Sequence, residues 1–143
     1  MRLSTAGLFP PAPGCSLVTW RVKLIGANIP KEAWNWSLDD IPDDWKSKNG
    51  GSLDVVEVYI KGMDKMVKNG ACLFMGGEPG VGKTFIGSII LKEALSKGYL
   101  CWYTQMATLR NLIMESVMND EKKEYLHWIK NEPQFIFWMR WIR

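Results

Sequence analysis

The stretch that most constrains this chain is GEPGVGKT, residues 77–84. Its glycines tolerate backbone conformations with positive φ, so the chain can curl and point successive N–H groups at a single position. An unbroken apolar run, ACLFM at 71–75, precedes it, and apolar residues at helical spacing follow it, among them Ile86, Ile90 and Ala94. The order predicts a buried strand, a glycine-rich turn and an amphipathic helix.

This stretch matches the pattern G-x-x-x-x-G-K-[ST], which is typical of loops that bind the phosphates of a nucleoside triphosphate. In such a loop Lys83 reaches the β- and γ-phosphates, and the Thr84 hydroxyl ligates Mg²⁺. The N-terminus of the following helix adds N–H donors and a favourable dipole. We therefore predict a site for ATP and Mg²⁺, with Thr84 as metal ligand. The predicted binding residues are Gly77, Glu78, Pro79, Gly80, Val81, Gly82, Lys83, Thr84 and Phe85.

The chain before the loop divides into three parts. Residues 1–26 are proline-rich near their start and show no periodicity, which predicts an irregular lead-in. Residues 27–51 are predicted to be a linker that packs on the core through Trp34 and Trp36. A partial P-loop ATPase domain is predicted over 52–143. It starts with a helix over 52–70, with Ser52 as N-cap, Asn69-Gly70 as the stop, and an apolar stripe of Val56, Ile60, Met63 and Val67.

After the loop, helical and strand patterns alternate. The helix that follows Thr84 should end at Gly98, and YLCWYT at 99–104 predicts a second strand. MATLRNLIMESVM predicts a helix, NDEKKE a charged break, YLHWIK a short last helix, and PQFIFW a third strand. Alternation of this kind is typical of a parallel α/β sheet with right-handed crossovers.

Composition sets broader limits. With 143 residues, 47% of them apolar and 23% charged, the chain suits one globular domain, and a net charge of +3 does not argue for nucleic acid. Cys15, Cys72 and Cys101 lack metal-ligand spacing, and the last two lie in apolar runs that predict buried free thiols. No apolar run approaches the roughly 20 residues of a membrane span, so we predict a cytoplasmic protein without a membrane partner.

Several other side chains have a possible functional interpretation and a simpler one. His127 lies among Tyr, Leu and Trp residues, which favours packing over catalysis. Trp102 and Tyr103 could stack on a base, but in a strand they favour the core. Arg110 and the pair 122–123 could contact nucleic acid, but exposed basic residues on helices favour simple solvation.

The run from about Ala27 to Phe137 resembles the DnaC/IstB-like branch of the AAA+ ATPases, which contains helicase loaders and transposition helper ATPases. The resemblance rests on ANIPKEAW, KNG, LFMGGEPGVGKTFIGSIILKEALSKGYLCWYT and MATLRNLI. It implies an α/β fold, the three-layer parallel sheet of an AAA+-like P-loop NTPase, truncated here at about the third strand. It also implies ATP, Mg²⁺, possible homo-oligomers, single-stranded DNA, and a replicative helicase or transposase as partner.

The tail departs from that family. Its third strand normally closes with the Walker B carboxylates, Asp for Mg²⁺ and Glu for the attacking water, whereas Phe137 is followed by Trp138, Met139 and Arg140. The family's later sensor residues and arginine finger are not in the chain either. If Phe135 and Ile136 are read in frame and the reading then shifts to the last base of the Phe137 codon, the tail becomes F-I-L-D-[EA]-x-D, a Walker B pattern. We hypothesise a single-base frameshift, with a genuine short tail as the alternative, and the coding DNA distinguishes them.

The sequence thus predicts an ATP-binding protein of the helicase-loader class, in a truncated or frameshifted form with little hydrolysis. One alternative is a non-catalytic fragment without stable nucleotide binding. Another is a small P-loop nucleotide kinase, which would need lid arginines and a base site after the second strand. Whether the chain is an enzyme stays open at this point.

Overall fold

Helices outweigh strands in the computed structural model, which describes residues 16–139. Two short 3₁₀ turns, Lys31–Ala33 and Leu38–Asp40, lie between the first two helices. In chain order the helices and strands are α1 (Leu17–Gly26), α2 (Asp43–Lys61), α3 (Met63–Lys68), α4 (Lys83–Ser96), β1 (Cys101–Gln105), α5 (Met106–Ser116), α6 (Asp120–Asn131) and β2 (Phe135–Met139).

The predicted three-layer P-loop sheet is wrong for the described residues. They contain one sheet of two parallel strands, in register from Cys101 opposite Phe135 to Gln105 opposite Met139. These two strands are the predicted second and third ones. The predicted first strand, 71–75, belongs to no ladder.

The segment 71–75 keeps the alternation of a strand without its hydrogen bonds. Leu73 and Met75 are half-buried against the core, whereas Cys72 is exposed and Phe74 is 90% exposed. Within residues 16–139, no backbone N–H of residues 72–81 donates to a backbone carbonyl. A strand is defined by its pairing with a neighbouring strand, and no strand among the described residues pairs with this segment.

Helices cover both faces of the strand pair. The larger hydrophobic cluster joins α1, α2 and α4 to one face, which presents Cys101, Tyr103 and Phe135. The smaller cluster joins α5 and α6 to the other face, which presents Trp102. Since successive side chains of a strand point to opposite faces, the apolar run of β1 is buried on both sides.

Helix α4 is the centre of the larger cluster and immediately follows the glycine-rich loop. Its buried apolar residues are Ile86, Ile89, Ile90, Leu91, Ala94 and Leu95. As predicted, the chain leaves the helix through Gly98, whose φ is +90°. Because α4 is buried along most of its length, the C-terminal end of the loop that leads into it is held in place by the core.

Two helices occupy residues that were predicted to be irregular. Residues 17–26 form α1, which begins at Ser16, whose Oγ accepts a hydrogen bond from the Thr19 N–H at 3.2 Å. The rest of the predicted lead-in lies outside the described residues. The predicted charged break NDEKKE is the start of α6, where the Asn119 side chain accepts from the Lys122 N–H at 3.2 Å. In both places a capping side chain sets the start of a helix.

The helix predicted over 52–70 has different bounds. α2 begins at Asp43, is kinked at Asn49 and ends at Lys61, and α3 follows after Gly62 and runs to Lys68. The predicted apolar stripe does face the core, with Val56 and Met63 buried. The start was missed because Pro42 precedes the helix, and Asp43 and Asp44 in the first turn favour its dipole, a signal of charge and not of periodicity.

The segment before α2 is tied to β1 by hydrogen bonds. The Tyr103 N–H donates to the Ala27 carbonyl at 2.8 Å, and the Asn28 side-chain amide donates to the Tyr103 carbonyl at 2.9 Å. Trp34 donates its indole N–H to the Ile29 carbonyl at 2.9 Å, and Trp36 packs on the larger cluster. Among the helices of residues 16–139, none combines the length and apolarity that crossing a membrane requires.

Candidate phosphate-binding loop

The loop has the backbone that its glycines permit. Gly77, Gly80 and Gly82 have φ values of +139°, +86° and +92°, a region that residues with side chains disfavour. A Cβ atom added at Gly77 would lie 3.2 Å from Cγ2 of Val81, so the two sides of the loop approach each other closely. Glycine is required here by both conformation and space.

The loop passes directly into α4. Gly82 is the N-cap and contributes no side-chain acceptor, and the first turn contains no acidic residue. The first N–H groups of a helix have no partner within it, and the helix dipole favours negative charge at this end. The local charge and hydrogen-bonding capacity therefore suit an anion.

The ammonium group of Lys83 lies over the loop. Its Nζ donates to the carbonyl oxygen of Gly77 at 2.8 Å and to that of Glu78 at 2.7 Å. These two bonds hold the cation against the curled backbone of the loop. Thr84 follows in the first turn and is half-buried.

Deeper in α4, a second lysine connects the helix to the preceding segment. Lys92 is fully buried, and its ammonium group donates to the backbone carbonyls of Trp34 and Trp36. Burial lowers the pKa of Lys92 to about 8, although the nearby carboxylates of Asp40 and Glu93 oppose the shift. Lys92 therefore ties helix α4 to the segment that contains Trp34 and Trp36.

Two aromatic side chains, one from the preceding segment and one from the first turn of α2, lie close to the loop. The ring of Trp36 packs on Phe85 with centroids 5.2 Å apart. The Trp45 indole approaches the position of a Cβ at Gly82 to 4.0 Å. Sequence analysis missed Trp45, because a single tryptophan in the turn of helix after a proline carries no pattern.

The remaining candidates differ in how exposed they are. His127 is exposed, so the prediction that it packs in the core is wrong. Trp102 and Tyr103 are buried, as predicted. Arg110 and residues 122–123 are exposed, and Lys122 pairs with Glu115 at 3.7 Å.

The cysteines behave differently from one another. Cys101 is buried as predicted, and burial raises its pKa to about 12, which leaves it an unreactive thiol. Cys72 is exposed, so the prediction that it is buried is wrong, because its segment is not enclosed in a sheet. Cys15 lies outside the described residues.

No group of three or more His, Cys, Asp or Glu side chains within residues 16–139 is placed to hold a metal ion. The predicted Mg²⁺ ligand, Thr84, lies one residue beyond Lys83 in the first turn of α4. Its hydroxyl is a suitable ligand only together with oxygens of a bound phosphate.

Comparisons of the chain with protein-family models, with curated proteins and with solved structures find no match.

Proposed function

We propose that residues 77–85 bind the triphosphate of ATP together with Mg²⁺. The observation that carries this proposal is the position of Lys83, whose ammonium group is held by two carbonyls over a loop of positive-φ glycines at the start of α4. An incoming phosphate would offer stronger, charged acceptors to the same ammonium and to the N–H groups of the helix terminus. Thr84 would hold the metal from the first helical turn, and Mg²⁺ would neutralise phosphate charge.

The protein is, in this proposal, a cytoplasmic ATP-binding protein of the helicase-loader class. The class rests on the resemblance of residues 27–137 alone. It makes single-stranded DNA, a replicative helicase or transposase, and further copies of the chain the proposed partners. Anisotropy of a labelled oligonucleotide, measured with and without Mg-ATP, tests the DNA partner, and an unchanged signal at high protein concentration would remove it.

Lys83→Ala is expected to weaken ATP binding by tenfold or more, because it removes the ammonium group that donates to the carbonyls of Gly77 and Glu78. Isothermal titration of the chain with ATP and Mg²⁺ measures this. Lys68→Ala is the matched control, because Lys68 is exposed in α3. This variant should bind ATP with the affinity of the unaltered chain. Equal affinity of all three proteins for ATP would refute the proposal.

Hydrolysis is expected to stay at the level of the Lys83→Ala variant. The residues of β2 are FIFWM, which include no carboxylate to orient an attacking water. Phosphate release measured over hours with excess Mg-ATP tests this. Turnover that depends on Mg²⁺ and disappears in Lys83→Ala would show that a carboxylate elsewhere in the chain does this work.

A further inference from the structure

The segment between α1 and α2 runs along the helix that carries the loop. Lys92 fixes its middle by donating to the carbonyls of Trp34 and Trp36. About two helical turns nearer the loop, the Trp36 ring packs on Phe85, with centroids 5.2 Å apart and planes inclined by 33°. The segment thus contacts α4 at two positions along the helix. The next aromatic residue along the chain is Trp45, at the start of α2.

Trp45 lies in the first turn of α2 and is half-buried. Its backbone N–H donates to the Pro42 carbonyl at 3.0 Å, and its own carbonyl accepts from the Asn49 side chain at 3.1 Å. Its Cζ2 atom lies 4.0 Å from the Cβ position of Gly82. The indole therefore borders the loop where the chain enters α4.

We propose that the Trp45 indole packs against the base of the nucleotide whose phosphates the loop holds. This inference rests on the proposed function. A base is joined to the α-phosphate by only a ribose, so it must lie beside the rim of the loop. Two other aromatic residues lie in this region: Phe85 is covered by Trp36, and Phe74 lies beside Gly76, before the loop, whereas Trp45 lies beside Gly82 at the start of α4.

Stacking on an indole favours every base, because each base has a π face. Trp45 should therefore contribute affinity without strong selection between adenine and guanine. The ligand class that follows is nucleoside triphosphates. Stacking of this kind is worth roughly tenfold in affinity.

The experiment compares three ligands, each with Mg²⁺: ATP, GTP and inorganic tripolyphosphate, which has no base. Trp45→Leu is expected to weaken ATP and GTP about tenfold and to leave tripolyphosphate unchanged. Trp45→Phe keeps an aromatic face and should retain most of the affinity. Trp128→Leu is the matched control, because Trp128 packs on the smaller cluster with α5 and α6, and it should bind all three ligands normally.

The outcomes separate this inference from the proposed function. If the unaltered chain binds tripolyphosphate as tightly as ATP, or if Trp45→Leu weakens tripolyphosphate and ATP equally, the base contact is refuted while phosphate binding stands. If the unaltered chain binds none of the three ligands, the proposed function itself fails. Weakening by Trp45→Leu that is limited to ATP and GTP supports both.

Discussion

Replacing Gly87 by alanine is expected to destabilise the chain by about 2 kcal/mol, because a methyl group there overlaps the ring of Phe137. Gly87 is buried on the face of α4 that meets β2, and the Phe137 ring packs in turn on Tyr103 at 5.5 Å. The ring cannot retreat without disturbing that contact. In a helix, alanine normally adds about 1 kcal/mol to the free energy of unfolding relative to glycine. A net loss of stability would therefore be due to the overlap with Phe137.

Gly51→Ala is the matched control for this prediction. Gly51 is also a helical glycine, in α2, but a Cβ there meets nothing within 4 Å. It should stabilise the chain by about 0.5–1 kcal/mol through helix propensity alone. Urea unfolding followed by circular dichroism measures both variants. If Gly87→Ala is stabilising like Gly51→Ala, then helix α4 does not pack on β2 as closely as described here.

The cost of replacing Lys92 by methionine is expected to be larger at pH 9 than at pH 7, by about 1 kcal/mol. Burial lowers the pKa of Lys92 to about 8 from 10.5, so the folded chain releases this proton at lower pH than the unfolded chain. Between pH 8 and 10.5 the unfolded chain binds more protons at Lys92, so the contribution of this residue to the free energy of unfolding rises with pH. The neutral amine still donates to the carbonyls of Trp34 and Trp36.

The Cys101 thiol changes stability in the opposite direction as the pH rises, so the comparison is made at pH 9 or below. Burial raises the pKa of Cys101 to about 12 from 9.0, so its contribution to stability falls as the pH rises above 9. Both proteins contain this thiol, and its effect cancels in their difference. Urea unfolding of the unaltered chain and of Lys92→Met at pH 7, 8 and 9 gives that difference directly. A difference independent of pH would mean that Lys92 is as well solvated as an ordinary surface lysine.

The elements predicted correctly are those with a strong local signal. The helix after the loop and its end at Gly98 follow from apolar spacing and a C-terminal glycine. The strands β1 and β2 follow from short apolar runs, and they do pair in parallel. Helix α6 was largely missed because its first turn is charged and its start depends on the Asn119 cap.

The first predicted strand failed for a different reason. ACLFM has the composition of a buried strand, but pairing depends on distant parts of the chain. The loop, by contrast, is specified by adjacent residues, so its positive-φ glycines and the placement of Lys83 beside them could be anticipated. The position of Trp45 beside the loop and the burial of Lys92 could not be anticipated, because both are decided by tertiary packing and not by adjacent residues.

The unpaired segment before the loop has a consequence for how the molecule opens. Residues 72–81 are held by the side chains of Leu73 and Met75 and by the bonds that Lys83 makes to carbonyls, with no ladder to add cooperativity. Their amide hydrogens are therefore accessible to exchange with solvent while those of α4 are protected. A ligand that binds the loop N–H groups would therefore slow the exchange of amide hydrogens that donate to no backbone carbonyl in its absence.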